Sequence, residues 1–208
     1  MSIALPAFRT RVLPVVVIEQ PAHAVPLAEA LLAGGVDAIE ITLRTPAALD
    51  AIAAVARAVP GLCVGAGTVL GTGDLRRVHD AGARFALSPG ATPALLDAAA
   101  ASPLPFVPGV MTASEAMAAH ERGFTLLKLF PAEQAGGPAM LRALAGPLAD
   151  VRFCPTGGLT AANAASYLRL PNVALVGGSW LAPRDVLARG DWGTVTALAQ
   201  TAVRLGQE

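Results

Sequence analysis

Short β-branched or apolar runs alternate with alanine- and leucine-rich stretches about eight times along this 208-residue chain, with no long linker between them. The runs read as strands at Val12–Ile18, Val36–Ile41, Leu62–Ala66, Phe85–Leu87, Pro105–Val107, Leu126–Leu129, Val151–Cys154 and Val173–Val176. Helical stretches are expected at Ala24–Ala33, Pro46–Ala58, Leu75–Ala81, Pro93–Ala101, Ala113–Arg122, Pro138–Leu144 and Ala161–Leu168. Thr45-Pro46 and Thr92-Pro93 place a capping residue ahead of a proline suited to a first turn. Gly34, Gly82 and Gly123 fall where helices end. Strand followed by helix, repeated in this way, is the pattern of a parallel sheet. An open doubly wound sheet fits part of it, but Glu19-Gln20-Pro21 follows the first strand in place of a Gly-rich dinucleotide turn. Eight units favour closure, so the expected fold is α/β: one domain, residues 1–208, forming a (β/α)8 TIM barrel.

Composition narrows the class further. Apolar residues make up 54% and charged ones 14%, so most of the chain must be buried in regular structure. A formal net charge of zero argues against a broad surface for nucleic acid or anionic lipid. Met1–Thr10 has no basic-then-apolar signal region, and no apolar run approaches the ~20 residues of a membrane helix. A cytoplasmic protein is expected. Cys63 and Cys154 sit in apolar runs without zinc or disulfide spacing and read as buried free thiols.

Barrel active sites are built at the C-terminal ends of the strands. In Ala38-Ile39-Glu40-Ile41-Thr42-Leu43-Arg44 alternation turns Ile39, Ile41 and Leu43 to the helices, and Glu40, Thr42 and Arg44 to the interior or its mouth. A carboxylate inside an apolar strand is costly unless it is paired or protonated. Glu40 reads either as half of a structural ion pair with Arg44, or as a proton shuttle beside an arginine that clamps a substrate carboxylate.

Lys128, the only lysine in the chain, stands in the middle of Leu126-Leu127-Lys128-Leu129-Phe130. Any chemistry that needs a primary side-chain amine has this one candidate. Burial disfavours a charged amine, and the neutral form is the nucleophile that attacks a ketone to give an imine. The structural alternative is a cation paired with Glu40, and the two readings are compatible in a resting enzyme.

Gly65-Ala66-Gly67-Thr68 ends the third strand with small residues and a hydroxyl able to bond a carboxylate or keto oxygen. Ser88-Pro89-Gly90 and Pro108-Gly109 read mainly as shape. Thr156-Gly157-Gly158 and Gly177-Gly178-Ser179 follow the last two strands and offer backbone N–H groups to a phosphate. His23, His79 and His120 lie near helix starts or on helical faces. No ligand-like His/Asp/Glu spacing and no nucleophile elbow is present, so neither a metal nor a Ser/His/Asp mechanism is expected.

Five segments, in order, carry a resemblance to a known family. They are Ile39-Glu40-Ile41-Thr42-Leu43-Arg44-Thr45, Val64-Gly65-Ala66-Gly67-Thr68-Val69-Leu70, Lys128-Leu129-Phe130-Pro131-Ala132-Glu133, Arg152-Phe153-Cys154-Pro155-Thr156-Gly157-Gly158 and Gly177-Gly178-Ser179-Trp180. Together they resemble the 2-keto-3-deoxy-6-phosphogluconate (KDPG) aldolase / 4-hydroxy-2-oxoglutarate aldolase family. The resemblance implies a class I aldolase on a (β/α)8 barrel, a homotrimer, with no metal or organic cofactor. It implies cleavage of KDPG to pyruvate and glyceraldehyde 3-phosphate in the Entner–Doudoroff pathway, and of 4-hydroxy-2-oxoglutarate to pyruvate and glyoxylate. By the same resemblance Lys128 is the Schiff-base lysine, Glu40 the general acid/base, and Arg44 and Thr68 the pyruvate carboxylate ligands. Gly158, Gly178 and Ser179 fall to the phosphate and Thr156 to the sugar chain, with Gly157 between them counted in the same substrate-binding set. Thr156 resembles the phosphogluconate branch rather than the phosphogalactonate one. Other readings are a phosphogalactonate aldolase, a non-imine sugar-phosphate isomerase or synthase barrel, and a non-catalytic sugar-phosphate binder.

Overall fold

The computed structural model describes residues 4–205; positions 1–3 and 206–208 of the expected 1–208 domain lie outside the described residues. The strands are β1 (Val12–Val16), β2 (Ala38–Thr42), β3 (Cys63–Gly67), β4 (Ala86–Leu87), β5 (Phe106–Val107), β6 (Gly109–Val110), β7 (Leu126–Leu129), β8 (Arg152–Phe153) and β9 (Val176–Gly178). The α-helices are α1 (Ala24–Ala33), α2 (Ala48–Ala58), α3 (Thr72–Asp80), α4 (Pro93–Ala100), α5 (Ala113–His120), α6 (Gly137–Ala145), α7 (Ala164–Leu168), α8 (Arg184–Ala188) and α9 (Trp192–Leu205).

All strand pairing is parallel, in a six-stranded sheet β5-β4-β3-β2-β1-β9 and a three-stranded sheet β6-β7-β8. The two curl towards one another as a parallel α/β half-barrel. β5 and β6 are separated only by Pro108, which has no N–H to give a neighbour, although its carbonyl accepts from Lys128 N–H at 2.8 Å. At the other seam an isolated parallel bridge joins Thr156, beyond β8, to Gly177 of β9.

Alternation along the strands sorts the apolar residues into two clusters. Ile39, Ile41, Leu127 and Leu129 belong to the large core between strands and helices. Leu13, Ala38, Cys63, Phe85, Leu87, Val107, Cys154 and Leu175 form a second cluster inside the curled sheet. Phe8 packs on Phe85 with ring centroids 5.3 Å apart and covers that end. On β1, β2, β3 and β7 the inner apolar residues Leu13, Ala38, Cys63 and Leu126 lie at or near the strand start, which leaves later inner positions on β2 and β7 for polar residues.

Glycine on β3 follows from this packing. A Cβ at Gly65 falls inside the ring of Phe85, and one at Gly67 falls on the Glu40 carboxylate. From the sequence alone these glycines are expected to let a ligand approach the backbone. Their first effect is to make room for two neighbouring side chains.

Local chemistry accounts for the remaining differences. Thr92 caps α4 as expected, accepting from Leu95 N–H at 3.2 Å. Thr45 does not cap α2; its hydroxyl donates to Ile18 O at 2.5 Å, and the helix starts later, at Ala48. The last strand, expected at Val173–Val176, is Val176–Gly178. Arg11 explains the shift, because its guanidinium occupies the Val173 and Ala174 carbonyls at 2.8 and 3.0 Å. The sequence reading missed α8 and α9. Asp191 gives α9 its start, accepting from Thr194 N–H at 3.1 Å and from the Thr194 hydroxyl at 2.7 Å. The helix returns to α1, where the Thr196 hydroxyl donates to Ala30 O at 3.0 Å.

Gly65→Ala is expected to lower stability by about 1–3 kcal/mol, as overpacking does. Trimming the obstacle with Phe85→Leu should make the double variant less destabilised than the sum of the two singles. Urea unfolding of the four proteins checks this, and strict additivity would contradict the packing argument.

Candidate active site

Strands β2 and β7 each present one ionisable residue on the inner face, beyond the apolar cluster. Glu40 and Lys128, 88 positions apart in sequence, meet with Lys128 Nζ donating to Glu40 Oε1 at 2.9 Å. Their side chains are 0% and 4% exposed. Glu40 thus pairs with Lys128 rather than with Arg44. Its second oxygen, Oε2, has no hydrogen-bond partner among the described residues.

A buried pair of this kind is costly to desolvate, and removing one partner leaves the other's charge without compensation. The pair is better explained by what a buried amine next to a carboxylate can do than by a gain in stability. An amine held out of water beside a group that accepts and returns protons is equipped for carbonyl condensation.

Arg44 and Thr68 come together just past the ends of β2 and β3, with Arg44 Nε donating to Thr68 Oγ1 at 3.2 Å. Among the described residues Thr68 is the only non-glycine residue with positive φ, at 59°. A β-branched residue in that conformation is strained, and such strain persists where the surroundings impose it.

A cavity of about 180 Å³ opens at the same strand ends, lined in part by Arg44, Phe130, Thr156, Gly157, Gly158 and Ser179. Gly178 lines it too. Phe130 links this cavity to the buried pair, since its ring centroid lies 5.5 Å from Lys128 Nζ. The sequence reading gave Phe130 no role, although its place two residues after Lys128 on an alternating strand was the signal. A Cβ at Gly177 falls on the Thr156 hydroxyl, and one at Gly178 falls inside the Trp180 ring. Both glycines therefore have packing reasons beside any ligand. The side chains of His79 and His120 are exposed, and His23 meets Trp192 edge-on at 5.6 Å. Among the described residues no helix is long and apolar enough to cross a membrane.

Cys154 lies directly beneath the site, with Sγ 3.8 Å from the Thr156 hydroxyl. Burial pushes its thiol up to about 12; Lys128 and the contact with Thr156 oppose that rise, and Glu40 adds to it. Burial also raises the Cys63 thiol, against the pull of Arg84 and with a smaller push from Asp37.

Fold and site together define an α/β enzyme with a buried amine paired to a carboxylate inside a parallel sheet. The chain belongs to the KDPG and KHG aldolase family, whose profile matches residues 7–198. It is 52% identical over 192 residues to the KHG/KDPG aldolase of Escherichia coli (strain K12), which covers 92% of this chain and 90% of that protein. It is 50% identical over 192 residues to the 2-dehydro-3-deoxy-phosphogluconate aldolase of Pseudoalteromonas atlantica, covering 92% and 89% of the two chains. The KDPG aldolase of Legionella pneumophila, crystallised with pyruvate captured at low pH as a covalent carbinolamine intermediate, superposes with a TM-score of 0.92. That comparison has 45% identity and covers 94% of this chain and 95% of the other.

Two outcomes test the site's electrostatics. Lys128→Met strands the Glu40 charge and should cost about 3–5 kcal/mol in urea unfolding. Adding Glu40→Gln should recover most of that loss; equal stabilities of the single and double variants would contradict the pairing. In native protein at pH 8 both thiols remain protonated and buried, so iodoacetamide should label Cys63 and Cys154 only after unfolding. Mass spectrometry reads this directly.

Proposed function

We propose that this chain is a class I aldolase that cleaves 2-keto-3-deoxy-6-phosphogluconate to pyruvate and glyceraldehyde 3-phosphate, and also accepts 4-hydroxy-2-oxoglutarate. The observation that carries the reading is the buried 2.9 Å contact between Lys128 and Glu40, which Phe130 joins to the cavity that Arg44 lines. Membership of the KDPG and KHG aldolase family supports the same reaction.

Catalysis follows from the arrangement. Arg44, steadied by Thr68, binds the substrate carboxylate and brings the C2 ketone to Lys128. Lys128 passes a proton to Glu40, the neutral amine adds to C2, and the carbinolamine loses water as Glu40 returns that proton to the departing oxygen. In the protonated imine that results, C2 is electron-poor. Glu40, through a water molecule, then takes the C4 hydroxyl proton. The C3–C4 bonding pair moves towards the imine, and the aldehyde leaves. The enamine that remains is protonated at C3, and water hydrolyses the pyruvate imine to regenerate the lysine. Thr156 contacts the sugar chain, while Gly157, Gly158, Gly178 and Ser179 receive the phosphate. No metal or organic cofactor enters these steps.

The same reading takes the curled sheet as a closed (β/α)8 barrel in one domain. Continuity of the chain through Pro108 and the Thr156–Gly177 bridge support closure. It also takes the protein as a cytoplasmic homotrimer.

Pyruvate followed by borohydride is expected to leave a reduced pyruvate adduct on Lys128, located by peptide mapping. Lys128→Ala should take no adduct and turn over no KDPG. A wild-type protein that is folded, active on KDPG and untouched by borohydride would exclude the imine and favour a different mechanism.

A further inference from the structure

Two peptide groups in the Gly157–Leu159 turn are oriented from outside it. The Gly157 carbonyl accepts from Glu133 N–H at 3.2 Å. The Gly158 carbonyl accepts from the Asn163 side-chain amide, Nδ2, at 3.1 Å. One residue earlier, Thr156 O accepts from Ala132 N–H at 2.8 Å.

Across a trans peptide the carbonyl and the next N–H point in opposite directions. Anchoring these carbonyls therefore turns the N–H groups of Gly158 and Leu159 away from Glu133 and Asn163. Neither N–H has an acceptor among the described residues. Both residues line the cavity that Arg44 and Ser179 share. Gly157 and Gly158 hold φ of +99° and +79°, a backbone path that other residues adopt only with strain. Consecutive free N–H groups in such a turn form a concavity for an anion.

The Asn163 amide is itself held at both ends. Its Nδ2 also donates to Glu133 Oε1 at 3.2 Å, while its Oδ1 accepts from Thr160 N–H at 2.8 Å. These partners fix which way the amide faces. Tyr167, buried on α7, donates its hydroxyl to the same Glu133 oxygen. Burial raises the Tyr167 phenol, and the hydrogen bond to Glu133 and its charge add to the effect, so the group stays a donor.

We propose that Asn163, held in place by Glu133 and Tyr167, is a positioning residue for the anion-binding turn. It sets the affinity for the phosphorylated end of the substrate and leaves imine formation at Lys128 unaffected. This rests on the phosphate-site reading given under Proposed function.

The test compares wild type, Asn163→Ala and Tyr167→Phe by urea unfolding and in three assays. These are KDPG turnover, competitive inhibition by inorganic phosphate, and borohydride trapping of pyruvate. Asn163→Ala is expected to raise both KM for KDPG and Ki for phosphate about ten-fold, the scale of one lost hydrogen bond. kcat and pyruvate trapping should stay near wild type. Tyr167→Phe keeps the ring in the core and should shift KM and Ki in the same direction by less. Variants that unfold at lower urea but keep wild-type KM and Ki would show a merely structural network and overturn the inference. A wild type that traps pyruvate and turns over KDPG without any inhibition by phosphate would instead remove the phosphate-site reading, and the inference with it.

Discussion

One buried contact, Lys128 Nζ to Glu40 Oε1, constrains much of the molecule around it. Two ionisable groups inside a parallel sheet must find each other, because neither reaches water and each alone is expensive. They come from strands that are not neighbours in the sheet, so the inner face between them has to leave a clear path. Gly67 leaves the space that the Glu40 carboxylate fills. Nearer the start of the strands, Gly65 leaves the space for Phe85, which floors the interior together with Leu13, Cys63 and Cys154. The polar contact above and the apolar plug below depend on the same sparse strand.

This explains which parts were legible in the sequence. The strand and helix pattern was readable because each run is apolar at the period of its own secondary structure, and α1 falls on the expected Ala24–Ala33. Glu40 and Lys128 were readable for the opposite reason: a charge inside such a run is an exception that burial makes costly. Their mutual pairing was one of two partnerships left open, because alternation gives a face but not the residue across it. The glycines on β3 were readable as a need for space, though not as space for Phe85 and Glu40, which are distant in sequence. α9 was missed, although Asp191 and the buried face Val195, Ala199 and Ala202 mark it. Capping by Asp191 looks like an ordinary loop acid until the helix it starts is seen to pack on α1.

Side chains that bond to backbone carbonyls account for the displaced boundaries. Arg11 draws three carbonyls, those of Leu168, Val173 and Ala174, and so delays the last strand. Thr45 gives its hydroxyl to Ile18 O instead of to its own helix. In both cases a long-range hydrogen bond outweighs a local preference worth about 1 kcal/mol. Both place their consequences at the mouth of the sheet: Arg11 holds the segment leading into β9, which ends at Gly178 ahead of Ser179, and Thr45 steadies the turn that follows Arg44.

The two oxygens of Glu40 stand in unequal surroundings. Oε1 is committed to Lys128, and Oε2 has no partner among the described residues. Under the aldolase reading, the protonated imine leaves one N–H donor on the lysine nitrogen. That one proton is enough to retain the bond to Oε1, so the carboxylate stays anchored throughout the covalent cycle. Under that reading Oε2 is the oxygen free to give a proton to the departing hydroxyl and to take one from the C4 hydroxyl. A carboxylate with both oxygens bonded would be better satisfied and worse as a proton carrier. Under the same reading, the half-satisfied Glu40 is a cost to folding that serves the chemistry of Lys128.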